Sequence, residues 1–381
     1  MKIPILDLKP QLHSIQAELE NAILAVVRSG QYILGKAVQE FEQSAAQYLG
    51  VKHAIGVNSG TDALVISLRS LGIGTGDEVI TTPFSFFATA ESISMVGAKP
   101  VFVDISPDTF NINPDLIPAQ ITPQTKAILP VHLYGQPAPM AKIMAIAAQY
   151  QLPVLEDCAQ SFGARYMGDC EGCGPSCGAE NYMGKMTGAI GRVGAFSFFP
   201  TKNLGAYGDG GLIATNDDQI AELARMLRVH GAKQRYQNEM LGYNSRLDTL
   251  QAAILQVKLP YLDQWNQQRR RVAQTYNHYL ATIPEIVTPK ITAGHVFHQY
   301  TIRVLEGKRD YLAQALAEAG ISTMIYYPVP QHLLPVYRGQ YPSQPVSEQL
   351  AQEVLSLPIW AELEDSTIAH ICQTIAKVFG R

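Results

Sequence analysis

The sequence predicts an α/β fold: a large domain with a mostly parallel seven-stranded sheet, followed by a smaller C-terminal α+β domain. Two observations carry this prediction. Between about residues 50 and 215, short apolar runs alternate with segments long enough for a helix, which is the pattern of βαβ units. Beyond that region the chain changes to long helices and then to mixed short elements. We predict a large domain of residues 1–250 and a small domain of residues 251–381.

Seven apolar runs are the candidate strands, and most of them end in Gly, Pro, Ser or Asp. They are residues 53–57, 78–82, 99–103, 127–131, 153–156, 195–198 and 211–215. In parallel sheets the loops after the carboxyl ends of the strands form the ligand crevice. Functional residues are therefore expected directly after each run.

The C-terminal part begins with a helical stretch over residues 247–282, in which Pro260 predicts a break or kink. The small domain follows from the segments at 297–304, 308–319, 321–326 and 364–379, of which the second and the last read as helices.

Composition narrows the functional class. Of 381 residues, 47% are apolar and only 16% charged, which is typical of a well-buried globular enzyme. The net charge of −4 argues against binding to nucleic acid, which needs a basic surface. No apolar run approaches the roughly 20 residues of a membrane helix, and the N-terminus does not read as a signal peptide. We expect a cytoplasmic enzyme without membrane or nucleic-acid partners.

Residues 58–64 (N-S-G-T-D-A-L) follow an apolar run and open a helical one. Gly60 allows close backbone approach to an anion, Ser59 and Thr61 offer hydroxyl groups, and the helix N-terminus offers free N–H groups. This pattern predicts a phosphate cradle. An ordinary helix cap explains the same residues.

An acid and a lysine follow two other strands. Asp157 comes after an apolar strand, and a buried carboxylate there needs a cation; a helix N-cap is the alternative. Lys202 lies between aromatic residues and a glycine-rich turn, where desolvation would favour its neutral, nucleophilic amine, although a lone lysine is usually a surface charge. A phosphate cradle, an acid and a desolvated lysine are together the parts that a pyridoxal phosphate site requires.

These motifs resemble those of the DegT/StrS-type sugar-nucleotide aminotransferases, which are fold type I enzymes dependent on pyridoxal phosphate. The resemblance runs from about residue 5 to the C-terminus and rests on six motifs. They are N-S-G-T-D-A-L, P-F-S-F-F-A-T-A, P-V-H-L-Y-G, L-E-D-C-A-Q-S, S-F-F-P-T-K-N-L-G-A-Y-G-D-G-G and G-Y-N-S-R-L-D. It implies a homodimer with active sites at the subunit interface.

By position, the resemblance makes Lys202 the Schiff-base lysine and proton shuttle, and Asp157 the partner of the pyridine nitrogen. It also implies the remaining cofactor contacts: Gly60, Thr61 and Ser197 at the phosphate, Phe86 stacked on the ring, Gln160 beside the ring near its hydroxyl, and Asn244 at the phosphate of the neighbouring subunit's cofactor. For Phe86 the alternative is an ordinary core residue.

The implied reaction moves an amino group from L-glutamate to a keto sugar carried on a nucleotide. The motifs look closest to the branch that aminates carbon 3 of 3-keto-6-deoxy sugars on dTDP, with His298, Tyr326 and Tyr327 as candidates for the sugar pocket. A 4-keto sugar nucleotide or a keto-inositol as acceptor, and a cofactor-binding regulator without turnover, remain alternatives.

The segment at residues 167–186 is rich in Gly and Cys and has no periodicity, which predicts an inserted loop. Its Cys170, Cys173 and Cys177 have a spacing suited to zinc or an iron–sulfur cluster. A fourth ligand would have to be Cys158, a distant side chain or another subunit. A redox pair or a surface loop without metal is the alternative.

Overall fold

Seven strands form the central sheet of the protein, whose computed structural model describes residues 2–168, 179–234 and 236–381. They are β1 (His53–Val57), β2 (Glu78–Thr81), β3 (Lys99–Phe102), β4 (Thr125–Leu129), β5 (Leu155–Asp157), β6 (Val193–Ser197) and β7 (Gly211–Thr215). Hydrogen bonding gives the orders β3-β2-β4 and β5-β6-β7-β1. Two parallel bridges, Ile128 with Val154 and Val131 with Asp157, join β4 to β5 and complete the sheet.

The predicted mostly parallel sheet is confirmed. The pairs β2–β3, β2–β4 and β5–β6 are parallel, whereas β7 runs antiparallel to both β6 and β1. Each observed strand overlaps its predicted run, and two of them, β1 and β7, have the predicted bounds. The agreement follows from the strong signal of a short apolar run that is buried on both faces.

Helices cover both faces of the sheet. On β2, Val79 belongs to the apolar cluster that includes Leu64 and Ile220 from one layer of helices, while its neighbour Ile80 packs with Ile143 from the opposite layer. Side chains that alternate between two apolar clusters explain why these strands read as continuous apolar runs. The helices are α1 (Lys9–Ser14), α2 (Gln16–Ser29), α3 (Lys36–Leu49), α4 (Gly60–Ser70), α5 (Ala88–Met95), α6 (Met140–Tyr150) and α7 (Asp218–Leu227).

The chain then turns to the predicted long helices. A short hairpin, β8 (Ala232–Gln234) and β9 (Gln237–Asn238), precedes α8 (Thr249–Lys258), and a 3₁₀ turn at Leu259–Tyr261 leads into α9 (Leu262–Leu280). The predicted break at Pro260 is therefore confirmed, because this proline lies in the turn between the two helices.

A three-stranded antiparallel sheet, in the order β10-β11-β12, organises the C-terminal part. Its elements are β10 (Ile286–Val287), β11 (Tyr300–Val304), α10 (Arg309–Glu318), α11 (Pro345–Glu353), β12 (Val354–Leu357) and α12 (Asp365–Val378). The segment 321–326 forms no strand, because Ile321 bridges to Ile3 and Met324 bridges to Ser356, so that no ladder extends along one partner. The domain boundary at residue 250 stays a prediction.

The two described ends of the predicted inserted loop lie side by side. Arg165 and Met186 form an antiparallel bridge, and the N–H of Tyr166 donates to the carbonyl of Lys185 at 2.9 Å. Between the described ends, 169–178 lies outside the described residues. Across the part of the chain that the structure describes, every helix is too short or too polar to cross a membrane.

Candidate active site

A cavity of about 430 Å³ lies at the carboxyl ends of β5 and β6, next to the N-terminus of α4. Eleven of the residues singled out from the sequence line it: Ser59, Gly60, Thr61, Phe86, Asp157, Gln160, Ser197, Lys202, His298, Tyr326 and Tyr327. Residues from the first and the last parts of the chain, such as Ile5 and Ile359, close its far side. The fold thus brings strand ends and C-terminal segments to one pocket.

The N-terminus of α4 combines both roles that the sequence left open. Ser59 caps the helix, since its Oγ accepts the N–H of Asp62 at 3.0 Å. Gly60 has no room for a side chain, because a Cβ there would lie 2.6 Å from the Cβ of Ser197. The N–H groups of Gly60 and Thr61 are in the first turn and have no acceptor within the helix. Capping therefore leaves two backbone donors and the helix dipole for an anion.

Asp157 is the last residue of β5 and is buried against the cavity. Its Oδ2 accepts the hydroxyl of Thr89 at 2.8 Å, and its Oδ1 accepts the N–H of Ala159 at 3.1 Å. Burial raises the pKa of this carboxyl, while the two hydrogen bonds and the charge of Lys202 oppose the rise. The alternative of a helix N-cap is wrong, because the chain turns after Asp157 and no helix begins there.

Lys202 follows the end of β6, in a turn held by the hydrogen bond from its own N–H to the carbonyl of Phe199 at 2.8 Å. Burial of the ammonium lowers the pKa of Lys202 to about 8, and the nearby charge of Asp157 limits the drop. About a tenth of the amine is then neutral at pH 7, far more than for a lysine in water. The pocket therefore holds a usable amine nucleophile opposite an acid.

Polar and aromatic side chains form the wall next to Asp157. Gln160 accepts the N–H of Tyr134 at 2.6 Å through Oε1 and donates through Nε2 to the hydroxyl of Tyr327 at 3.0 Å. Burial raises the pKa of Tyr327, so its hydroxyl keeps its proton. Phe86 is 61% exposed and its ring centroid lies 6.4 Å from that of Tyr327, so it is a wall residue and not part of the core.

Sequence reasoning missed four residues that shape this site. Thr89 and Asn203 had a visible signal, since each stands in one of the six motifs, but nothing in the sequence pairs Thr89 with Asp157 or Asn203 with His298. Asn203 and Asn266 form a buried hydrogen-bonded pair behind the cavity. Arg269 is buried rather than solvated, and its guanidinium donates to the carbonyls of Phe297 and His298.

Glu156 and His132 form a buried pair behind β5, and together with Cys158 they lie close enough for a metal site. Their hydrogen bonds argue against one. His132 uses Nε2 toward Glu156 and Nδ1 toward the N–H of Ala138, and four donors already occupy the Glu156 oxygens. Burial raises the pKa of Cys158 well above its ordinary value, which disfavours the thiolate that binds metal.

Two sets of predicted site residues do not line this cavity. Asn244 lies on the exposed surface, where it bridges to Val229. Cys170, Cys173 and Cys177 lie outside the described residues.

The chemistry of the cavity fits pyridoxal phosphate, the cofactor that the motifs imply. Gly60 has no side chain and packs closely on Ser197, so the backbone amides at the start of α4 stay open to a phosphate. The desolvated amine of Lys202 suits an aldehyde, and the carboxyl of Asp157 suits a protonated ring nitrogen. Of the described residues that line the cavity, Lys202 is the only lysine or arginine, so the wall of one chain offers no second cation.

Comparison with known proteins adds relatives. Residues 13–376 match the DegT/DnrJ/EryC1/StrS aminotransferase family. The pleiotropic regulatory protein of Geobacillus stearothermophilus is 49% identical over 100% of this chain and 99% of its own. UDP-N-acetyl-3-dehydro-α-D-glucosamine 3-aminotransferase of Acidithiobacillus ferrooxidans is 43% identical, over 98% and 97%. dTDP-3-amino-3,4,6-trideoxy-α-D-glucose transaminase of Streptomyces venezuelae is 44% identical, over 99% and 96%.

A solved structure has the same fold along the whole chain. The crystal structure of S. venezuelae DesV in complex with a ketimine intermediate superposes with a TM-score of 0.92 at 42% identity, covering 100% of this chain and 99% of that one. The fold type I architecture implied by the motifs is thereby confirmed.

Proposed function

The chain belongs to the DegT/DnrJ/EryC1/StrS aminotransferase family, and on that basis we propose that it transfers the amino group of L-glutamate to a keto sugar carried on a nucleotide, with pyridoxal phosphate as cofactor. The observation that carries the proposal is the desolvated Lys202 beside the buried Asp157 in one cavity with an open helix N-terminus.

The proposed acceptor is a 3-keto-6-deoxyhexose on dTDP, which would leave as the 3-amino sugar. Two relatives support amination at carbon 3, since the names of both place the amino group there. They carry different nucleotides, UDP and dTDP, so the position on the sugar has stronger support than the choice of nucleotide.

When bound, pyridoxal phosphate supplies an aldehyde that reacts with amines and a ring that withdraws electrons from the neighbouring carbon. Gly60, Thr61 and Ser197 would hold its phosphate, and Phe86 would cover its ring. Asp157 would hold a proton on the ring nitrogen, for which Thr89 and Ala159 fix the orientation of the carboxylate.

Lys202 would do the proton chemistry. Its Nζ has a pKa of about 8, close enough to neutral for the same atom to take and return a proton during turnover. Gln160 already donates to the oxygen of Tyr327, so the Tyr327 hydroxyl proton is free to bond an oxygen of the cofactor or the sugar. His298 and Tyr326 complete the sugar side of the wall.

We further propose a homodimer in which Asn244 reaches the phosphate bound by the partner. Asn244 is exposed and does not line the cavity of its own chain. Phe199, an aromatic residue that lines the cavity, is also 50% exposed, as expected for a surface that a second copy covers. The described cavity wall has no cation besides Lys202, so a second cation for the phosphate would have to come from outside it.

A regulator without turnover is the second candidate, because the relative at 49% identity is named a pleiotropic regulatory protein. The two candidates differ in one measurement. The purified holoenzyme is incubated with L-glutamate and a panel of 3-keto and 4-keto sugar nucleotides and a keto-inositol, and products are identified by mass. An amino sugar with the nitrogen at carbon 3 supports the proposal; cofactor binding without any aminated product would favour the regulator.

A further inference from the structure

Behind Lys202, a chain of buried side-chain amides connects the backbone to His298. The Nδ2 of Asn266 donates to the carbonyl of Phe162 at 3.2 Å, and its Oδ1 accepts the Nδ2 of Asn203 at 2.7 Å. The Oδ1 of Asn203 lies 3.1 Å from the Nδ1 of His298. Asn203, Asn266 and His298 are 6%, 5% and 8% exposed, so water does not compete for these contacts.

The direction of each hydrogen bond in this chain is fixed by the two carbonyls. Phe162 offers only a carbonyl oxygen, so the NH₂ group of Asn266 must face it and its Oδ1 must face Asn203. Asn203 likewise places its NH₂ group toward the carbonyl of Val296 at 3.1 Å, which leaves its Oδ1 for His298. An amide oxygen only accepts, so the Nδ1 of His298 carries the proton.

The charge on the imidazole follows from its surroundings. Burial lowers the pKa of His298 well below its ordinary value, and the charges of Lys202 and Arg269 lower it further. The guanidinium of Arg269 donates to the backbone carbonyl of His298 at 3.3 Å, so a cation lies next to the residue that carries the imidazole. A neutral ring with its proton on Nδ1 has a bare lone pair on Nε2.

We propose that Asn203 and Asn266 are positioning residues that hold His298 in its Nδ1–H form, so that Nε2 accepts a hydrogen bond from a hydroxyl of the sugar substrate. This inference rests on the proposed function. His298 lines the cavity. Of the two proposed substrates, the keto sugar carries hydroxyl groups that can donate a hydrogen bond, whereas glutamate carries no hydroxyl group. The lone pair therefore serves the half-reaction with the keto sugar and not the half-reaction with the amino donor.

The first test reads the proton position without any substrate. In the holoenzyme labelled with ¹⁵N-histidine, long-range ¹H–¹⁵N NMR distinguishes Nδ1–H from Nε2–H, and H298Q assigns the signals of His298. We expect Nδ1–H in the wild type and a measurable population of Nε2–H in N203L, with a smaller one in N266L because Val296 still orients Asn203. A wild-type ring protonated on Nε2 or on both nitrogens would overturn the proposal, as would an unchanged ring in N203L.

Asn277 provides a matched control for Asn266, because both residues are on α9 and each makes two side-chain hydrogen bonds. Its Nδ2 donates to the carbonyl of Pro289 at 2.8 Å and its Oδ1 accepts the hydroxyl of Tyr300 at 2.7 Å, so N277L also removes two hydrogen bonds. N277L should lower stability while leaving the His298 tautomer unchanged. A tautomer shift in N277L would mean that any loosening of α9 has the same effect, and the positioning role would fail.

The second test separates the two half-reactions in single-turnover kinetics. We expect N203L and H298L to slow amination of the keto sugar by about tenfold and to change the reaction with glutamate by less than about twofold. H298Q places an amide group near the former Nε2 and should recover part of the loss. If both half-reactions slow equally, the two asparagines act on Lys202, which serves both half-reactions, and the proposed contact of His298 with the sugar is overturned. If the wild type aminates no sugar nucleotide, the proposed function fails, and the NMR result still decides the tautomer.

Discussion

The protein removes two lysines and two neighbouring carboxyl groups from full contact with water, and only one of each lines the cavity. Lys202 and Asp157 face the pocket, whereas Lys258 and Glu156 do not line it. Burial lowers the pKa of both lysines to about 8, so a shifted pKa does not by itself separate the lysine that lines the cavity from the one that does not.

The pair outside the cavity, Lys258 and Glu156, is bound to neighbouring backbone groups. The oxygens of Glu156 accept four hydrogen bonds, from His132 and from the N–H groups of Gly188, Ile190 and Gly191. Lys258 donates to the carbonyl of Gly205 at 2.6 Å, and its Nζ lies 4.7 Å from the centroid of the Tyr207 ring. Glu156 and Lys258 thus hold loop backbone in place, whereas Lys202 and Asp157 face the cavity, where a ligand can bind them.

The largest expected effect separates the two lysines. Lys202→Ala should lower turnover by at least about 10³-fold, because one nitrogen supplies both the covalent attachment and the proton transfer. Steady-state kinetics measure the loss, and borohydride reduction with peptide mapping locates the cofactor on Lys202 in the wild type. Lys258→Met is the control and should keep the tag on Lys202. A tag on Lys258 would reverse the assignment of the two lysines.

The next effect concerns the carboxyl group of the cavity. Asp157→Asn keeps the shape but removes the charge that would hold a proton on the cofactor ring, so turnover should fall by about 10²-fold or more. Because burial disfavours the charged form of Asp157, the free energy of unfolding without cofactor should not fall with it. Denaturant unfolding checks this second part. Normal turnover in the variant would contradict the role assigned to Asp157.

The neighbouring carboxylate should respond in the opposite way. Glu156→Gln places an NH₂ group against backbone N–H donors, and leaving buried donors unpaired costs about 1–3 kcal/mol. The midpoint of urea unfolding should therefore fall clearly below that of the wild type and of D157N. If E156Q unfolds like the wild type, the four hydrogen bonds do not carry the stability assigned to them.

These contrasts show which parts of the site can be read from sequence. Asp157 and Lys202 were predictable because each follows a short apolar run whose carboxyl end meets the crevice. The four-donor shell of Glu156 was not, because three of its donors come from a loop more than 30 residues later in the chain. The Arg269 contact to His298 was hidden for the same reason: Arg269 is the first of three consecutive arginines on α9 (residues 269–271), and only the packing of a distant segment shows which of them is buried.

The fold was predictable to nearly the same degree. Runs buried on both faces gave the strands within a few residues, and Pro260 gave the helix break. The segment 321–326 shows the limit, because its single bridges to Ile3 and Ser356 depend on the two ends of the chain meeting there. Local pattern contains no information about such partners. The roles of the site residues toward cofactor and sugar stay predictions.

The smallest expected effect is a pH dependence that belongs to Lys258. Its pKa is about 8 in the folded protein, against an ordinary value of 10.5. Between these values the unfolded chain binds more protons than the folded one, so the free energy of unfolding rises with pH across that window and is flat for this group below it. The slope from one group is at most about 1.4 kcal/mol per pH unit. Lys258→Met should remove the part of this rise that belongs to Lys258 and leave the part that belongs to Lys202, whose pKa is also about 8.

Two further variants show whether the rise comes from burial of this ammonium. Lys36→Met removes a lysine whose side chain is 83% exposed, and it should keep the wild-type rise, because that ammonium meets water in the folded and the unfolded chain alike. Tyr207→Leu removes the ring beside Lys258, a contact worth about 0.5–2 kcal/mol to the charged form. It should therefore make the rise begin at a lower pH, whereas Tyr207→Phe keeps the ring face and should not. A rise in K258M as steep as in the wild type would mean that Lys258 does not contribute to it, and that burial does not lower the pKa of Lys258 as argued.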